Sequence, residues 1–93
     1  MDLFWETVLV IGAARSGIAV SKLLLKNGYH VVLTDSNAIK EKTELESMGI
    51  EVFDGGHPDS LKEKKYAFIV KNPGIPYRVP FVHYFVEQNA KIY

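Results

Sequence analysis

Four short apolar runs recur along the chain, at 7–11, 30–34, 50–53 and 66–70, and each gives way to small or polar residues. The first, Thr7-Val8-Leu9-Val10-Ile11, is continuous and β-branched rather than alternating. That pattern predicts a strand covered on both faces, as in a parallel sheet. Residues 12–17 form a small-residue turn. Residues 18–27 then predict a helix with Ile18, Val20, Leu23 and Leu24 on its apolar face and Ser21, Lys22 and Lys26 outside. Lys26 suits the negative end of the helix dipole, and Gly28 suits the left-handed position beyond it. The second strand, 30–34, ends at Asp35, after which Ser36 or Asn37 can cap a solvated helix over 38–48. Ile39, Leu45 and Met48 turn inward from that helix, and Gly49 ends it.

The pattern continues with a third strand at 50–53, a loop at 54–58, a helical turn from Pro58 to Leu61 and a charged connector at 62–65. The fourth strand is 66–70. Asn72-Pro73-Gly74 predicts a type II turn, with Pro at i+1 and Gly at i+2. Pro80 opens a last helix with Phe81, Val82, Phe85 and Val86 on one face and Asn89 at its end, and Lys91-Ile92-Tyr93 begins a fifth strand. Strands alternating with helices predict a Rossmann-like, doubly wound, five-stranded parallel sheet of order 3-2-1-4-5, in three α/β/α layers. Ligands of such sheets sit at the carboxyl ends of the strands, beside the point where the strand order reverses. The loops 12–17, 35–37, 54–57 and 72–75 would then share one edge.

Composition narrows the picture. A chain of 93 residues holds one core rather than two. Eleven basic residues balance eleven acidic ones, which argues against a polybasic nucleic-acid binder. There is no cysteine, so disulfides, thiolate nucleophiles and Cys-ligated zinc are excluded. No apolar run approaches the ~20 residues of a spanning helix, and Met1-Asp2 does not open a signal peptide, so a cytoplasmic protein is expected.

The first loop, Gly12-Ala13-Ala14-Arg15-Ser16-Gly17, approximates G-x-G-x-x-G with Ala14 at the middle glycine. Backbone N–H groups around Arg15, Ser16 and Gly17 can receive a phosphate at the positive end of the helix. The methyl of Ala14 weakens a strict dinucleotide reading. Ile18-Ala19 stand where a Walker loop has Lys-Ser/Thr, so this is not an ATP-hydrolysing loop. The blander reading is a plain strand-to-helix turn. Asp35 follows Gly12 by 23 positions, near the spacing of a ribose-binding acid, and could equally accept from a base N–H or cap a helix. Asn72 offers an amide and Gly74 a close backbone approach, unless the segment is only a chain reversal. His57 is a loop or capping residue before it is a metal ligand. His30 opens a strand and His83 rides a helix, neither with a second metal ligand beside it in the sequence; Trp5 and Tyr84 read as packing or surface residues, and no catalytic grouping or metal site can be assembled.

Several segments together resemble the N-terminal domain of the Mur ligases. They are residues 8–19, Asn27-Gly28, Asp35, Gly49-Ile50-Glu51-Val52, Gly55-Gly56-His57-Pro58 and Asn72-Pro73-Gly74-Ile75-Pro76. Within that family the D-glutamate-adding members are the most similar. The resemblance covers about residues 6–93. It implies a domain that binds the uridine diphosphate end of UDP-N-acetylmuramoyl-L-alanine for peptidoglycan synthesis, and hence for cell-wall biogenesis, shape and division. Arg15 and Ser16 would meet the diphosphate, with Ala14 and Gly17 in the same turn. Asp35, Ser36 and Asn37 would surround the uracil, and Gly74 would approach the nucleotide, with Asn72 standing where Ser is common. The resemblance further implies a fragment, 1–93, of a three-domain enzyme whose missing domains bind ATP, Mg2+ and D-glutamate. Such a fragment holds no cofactor and does no chemistry, and its partners are the substrate and the ligase's own central domain, not nucleic acid or membrane. The alternatives are an NAD(P)-binding domain of a dehydrogenase or redox sensor, which the same loop fingerprint would serve, and a binding-silent interaction module.

Overall fold

The computed structural model describes residues 6–93; Trp5 and the Met1-Asp2 start lie outside them. The chain runs β1 (Thr7–Ile11), α1 (Arg15–Lys26), β2 (His30–Thr34), α2 (Lys42–Ser47), β3 (Glu51–Phe53), a 3-10 helix (Asp59–Glu63), β4 (Phe68–Lys71) and α3 (Pro80–Glu87). The four strands form one parallel sheet in the order β3-β2-β1-β4. The expected fifth strand is reduced to a single parallel bridge between Ile69 and Ile92 on the outer side of β4. Three backbone hydrogen bonds hold it: Ile69 N–H to Lys91 O, Tyr93 N–H to Ile69 O and Lys71 N–H to Tyr93 O.

Each central strand is buried on both sides, which is why its sequence is apolar throughout rather than alternating. Val8, Val10, Val31, Leu33 and Val52 face α1 and α2 and pack with Ile18, Leu24, Leu25, Ile39 and Leu45. Leu9, Ile11, Val32 and Ile69 face the other way and pack on Leu61 of the 3-10 helix and on Phe81, Val82 and Phe85 of α3. The three layers are therefore as expected.

Several local expectations need correction. Helix α1 starts at Arg15, three residues early; of its expected apolar face Ile18 and Leu24 do pack on the core, but the line closest to the sheet is small. Gly17 and Ser21 are its buried residues, while Leu23 is 58% exposed. The cause is close approach: a Cβ at Gly17 would lie 2.1 Å from the carbonyl oxygen of Gly12, so bulky residues cannot occupy that line. The Ser21 hydroxyl solves its own burial by donating to Gly17 O at 2.8 Å. Helix α2 is only Lys42–Ser47, and Met48 and Val86 are exposed instead of inward. Strand β4 begins two residues late and includes Lys71. Gly74 lacks the positive φ of a type II turn, although the turn itself closes, with Ile75 N–H donating to Asn72 O at 3.0 Å.

Candidate functional site

The carboxyl ends of all four strands lie along one edge, and their loops continue the sheet's hydrogen bonding outward. Gly12 N–H donates to Thr34 O, Asn72 N–H to Ile11 O and Asp35 N–H to Phe53 O. The loops are thus fixed in the order of the strands that feed them.

At the centre of this edge is the turn into α1. Gly12 has φ +105°, and a Cβ there would come within 2.7 Å of the Asn72 Cβ, so only glycine lets β1 turn while Asn72 packs beneath it. Ala14 is the N-cap residue in extended conformation, and no side chain caps the helix. The first amides of α1, at Arg15, Ser16 and Gly17, have no carbonyl one turn earlier in the helix, and the first turn carries no acidic residue. Ala14, Arg15 and Ser16 are exposed, while Gly17 is buried against the sheet. This is a helix N-terminus open to an anion, and the Ala14 methyl projects at its exposed rim.

Asp35 adjoins that turn and is a junction of three loops. Its Oδ2 accepts from Ala13 N–H at 2.7 Å and its Oδ1 from Asn37 N–H at 2.8 Å. Its backbone N–H donates to Phe53 O, and its carbonyl accepts from Gly56 N–H at 3.2 Å. A carboxylate oxygen has two acceptor positions, so each oxygen retains one for a ligand. Ser36 and Asn37 beside it are exposed. On the other flank, Asn72 spends its Oδ1 on Gly74 N–H at 2.9 Å, with its Nδ2 lying against Gly12. The oxygen of that amide is therefore occupied in shaping its own turn.

Three residues on this edge have roles that their sequence positions did not disclose. Asp54 Oδ2 accepts from Ile39 N–H at 2.9 Å and Oδ1 pairs with Lys42 Nζ at 3.3 Å. Those two contacts, the Ile39 N–H first, hold its carboxyl below the usual range. His57 shares a 2.8 Å hydrogen bond with Thr34 Oγ1 and stacks on Phe81 at 4.5 Å. Lys71 is buried, with its ammonium donating to Ile75 O and Asn72 O. A lone Asp, His or Lys in a sequence gives no clue to a tertiary partner, so no local pattern could have found these contacts. Among the described residues, no three His, Asp or Glu side chains gather to hold a metal. A cleft of about 480 Å³ opens at the opposite, amino edge between Lys62, Tyr66, Tyr84 and Lys91, and none of the candidate site residues lines it.

The class these features define is a parallel α/β domain that presents an uncapped helix N-terminus and a laced loop edge where the strand order reverses. Its relatives are specific. The chain is 44% identical over 90 residues to the UDP-N-acetylmuramoylalanine--D-glutamate ligase of Staphylococcus epidermidis, covering 94% of the chain and 20% of that protein. It is 43% identical over 88 residues to the ligase of the same name from Geobacillus kaustophilus, covering 91% and 20%. It is 46% identical over 81 residues to that of Lactobacillus delbrueckii subsp. bulgaricus, covering 83% and 18%. The resemblance to the Mur ligases therefore holds, and over this span the chain is a homologue of their D-glutamate-adding members. It spans about a fifth of the length of the curated relatives it matches. No family model matches the chain. No helix among the described residues is long and apolar enough to cross a membrane.

Proposed function

We propose that this chain is the N-terminal, uridine-nucleotide-anchoring domain of a cytoplasmic ligase that adds D-glutamate to UDP-N-acetylmuramoyl-L-alanine. The observation that carries the reading is the uncapped start of α1, laced to Asp35 by Ala13 N–H, in a chain whose relatives bear that ligase's name. Backbone N–H groups of Arg15, Ser16 and Gly17 receive the diphosphate, with Ala14 at the rim of the turn. Asp35 uses a remaining acceptor position for the uracil N3–H, and Ser36 and Asn37 flank the base. Gly74, in the turn that Asn72 shapes, bounds the other side. A neutral chain suffices for this, since oriented amides and a helix end supply the positive field.

These residues perform no bond-making step. In this reading ATP, Mg2+ and the D-glutamate site belong to the remaining four-fifths of the enzyme, and this domain contributes remote binding energy that positions the reacting carboxylate there. The test is a titration of the chain with UDP, followed at backbone amides. Shifts at Arg15 to Gly17 and at Asp35 to Asn37 are expected, with NADH failing to displace UDP. Absence of shifts at millimolar UDP would sink the reading, and NADH outcompeting UDP would replace it with a dinucleotide domain.

A further inference from the structure

Lys71 closes β4 opposite Ile11 of β1 and, like Ile69, turns toward the α3 side of the sheet. It is only 9% exposed, and none of the ion pairs among the described residues uses it. Its ammonium instead donates to Ile75 O at 2.7 Å and Asn72 O at 3.1 Å, and lies 4.5 Å from the centre of the Tyr77 ring. Two carbonyls and an aromatic face satisfy a buried cation that would otherwise be costly to keep from water. All three partners belong to one loop, 72–77, so the side chain curls under the loop that its own strand feeds. The carbonyl of Asn72 takes both the ammonium and Ile75 N–H, and so spends both lone pairs on the turn. Asn72 in turn presses on Gly12, the first residue of the turn into α1. A packing role alone would not call for an ammonium here, since Met fills such space without a charge to satisfy.

We propose that Lys71 is a positioning residue for the nucleotide site: its ammonium sets the 72–77 loop, and through Asn72 the seat of Gly12 and the opening of α1. The proposal rests on the uridine-nucleotide reading. It is tested by comparing UDP binding to the wild-type chain, to Lys71→Met and to Tyr66→Phe. The last is a control that loses only the hydroxyl's 2.8 Å bond to Leu61 O at the amino edge. Lys71→Met should weaken UDP binding about tenfold, the worth of one charged hydrogen bond. It should also shrink the UDP-induced amide shifts at Gly74 and at Arg15 to Gly17, while Tyr66→Phe lowers the melting temperature but keeps wild-type affinity. A folded Lys71→Met that binds within about twofold of wild type overturns the proposal. An equal loss of affinity in Tyr66→Phe also overturns it, because general loosening would then explain the effect. Should Lys71→Met fail to fold, the wild-type lysine ammonium resonance decides. It moves together with the Gly74 amide at saturating UDP if the proposal holds, and stays still if it does not. Wild-type chain that ignores UDP overturns the nucleotide reading and this proposal with it. That failure is separable because it is seen before any substitution is made.

Discussion

Asp35 has two occupations, and they separate experimentally. Its carboxylate holds Ala13 N–H and Asn37 N–H, so its removal leaves one half-buried and one exposed donor without protein partners. From the sequence, an Asp at a strand end is either a ligand acceptor or a cap; the structure makes it a brace between loops, and any ligand role is added to that. Asp35→Ala is therefore expected to cost about 1–3 kcal/mol of folding stability, toward the low end because water can reach the freed groups. Chemical denaturation of the two proteins checks the cost, and an unchanged midpoint would remove the brace. Asp35→Asn keeps one acceptor oxygen for two backbone donors, so one brace bond is lost and the amide NH2 faces an N–H; this variant should lose stability too, and its UDP affinity is to be read beside that loss.

Among the elements, all three helices end alike. Gly28 N–H bonds Leu25 O while Tyr29 N–H bonds Leu24 O; Gly49 with Ile50, and Asn89 with Ala90, repeat the pair of bonds at the ends of α2 and α3. This crossed pair is the Schellman ending, and it needs a left-handed residue at the first position past the cap. Gly28 and Gly49 supply it at φ +92° and +105°, but α3 uses Asn89 at φ 58°. Asn89→Gly should stabilise the chain by a few tenths of a kcal/mol, whereas Asn89→Val should cost about 1–2 kcal/mol, because β-branched residues resist that conformation. Thermal melts of the pair test this, and equal melting temperatures would mean that the turn relaxes. Helix ends, buried strands and the strand order of the first four strands were legible in the sequence because turn chemistry and continuous apolarity are local signals. The inward face of α1 was legible only in part: Ile18 and Leu24 pack on the core as expected, while Gly17 and Ser21 form its closest line. Hydropathy favours Leu23, but the 2.1 Å clearance at Gly17 favours smallness, and only the docked helix reveals which demand wins. The start of α2 failed for a similar reason. Asp54, distant in sequence, takes Ile39 N–H and anchors 38–41 as irregular chain, where Ser36 and Asn37 looked like local caps. The site was legible as a set of loops on one edge, while the contacts that set those loops, from Asp54, His57 and Lys71, are tertiary.

At the scale of the molecule, the carboxyl edge is where the two helical layers are tied to the sheet and to each other, and His57 is one of those ties. It sits in the loop after β3, bonds the fully buried Thr34 at the end of β2, and stacks at 12° on Phe81 in the first turn of α3. A hydroxyl both donates and accepts, so either neutral tautomer can make the Thr34 bond, but an imidazolium can only donate. Burial lowers the His57 pKa from its ordinary 6.5, and the nearby Asp35 charge offsets only part of that effect. The folded state therefore binds this proton less readily than the unfolded chain does. Well above its ordinary pKa of 6.5 the ring is neutral in both states and its full contribution is present. As pH falls below 6.5 the unfolded state takes up the proton first, so stability declines, and the decline levels off once the folded pKa is passed. Asp54 acts in a separate, lower window: its folded pKa is depressed below 3.8, so its contribution is held above that pH and lost beneath it. Denaturation midpoints for wild type and His57→Gln, taken from pH 7.5 down to 4.5, isolate the ring from His30 and His83, which both proteins share. The wild-type curve should lose more stability than the variant between pH 6.5 and 5. Parallel curves would show that His57 titrates alike in both states, and that its stacking on Phe81 does not keep it neutral.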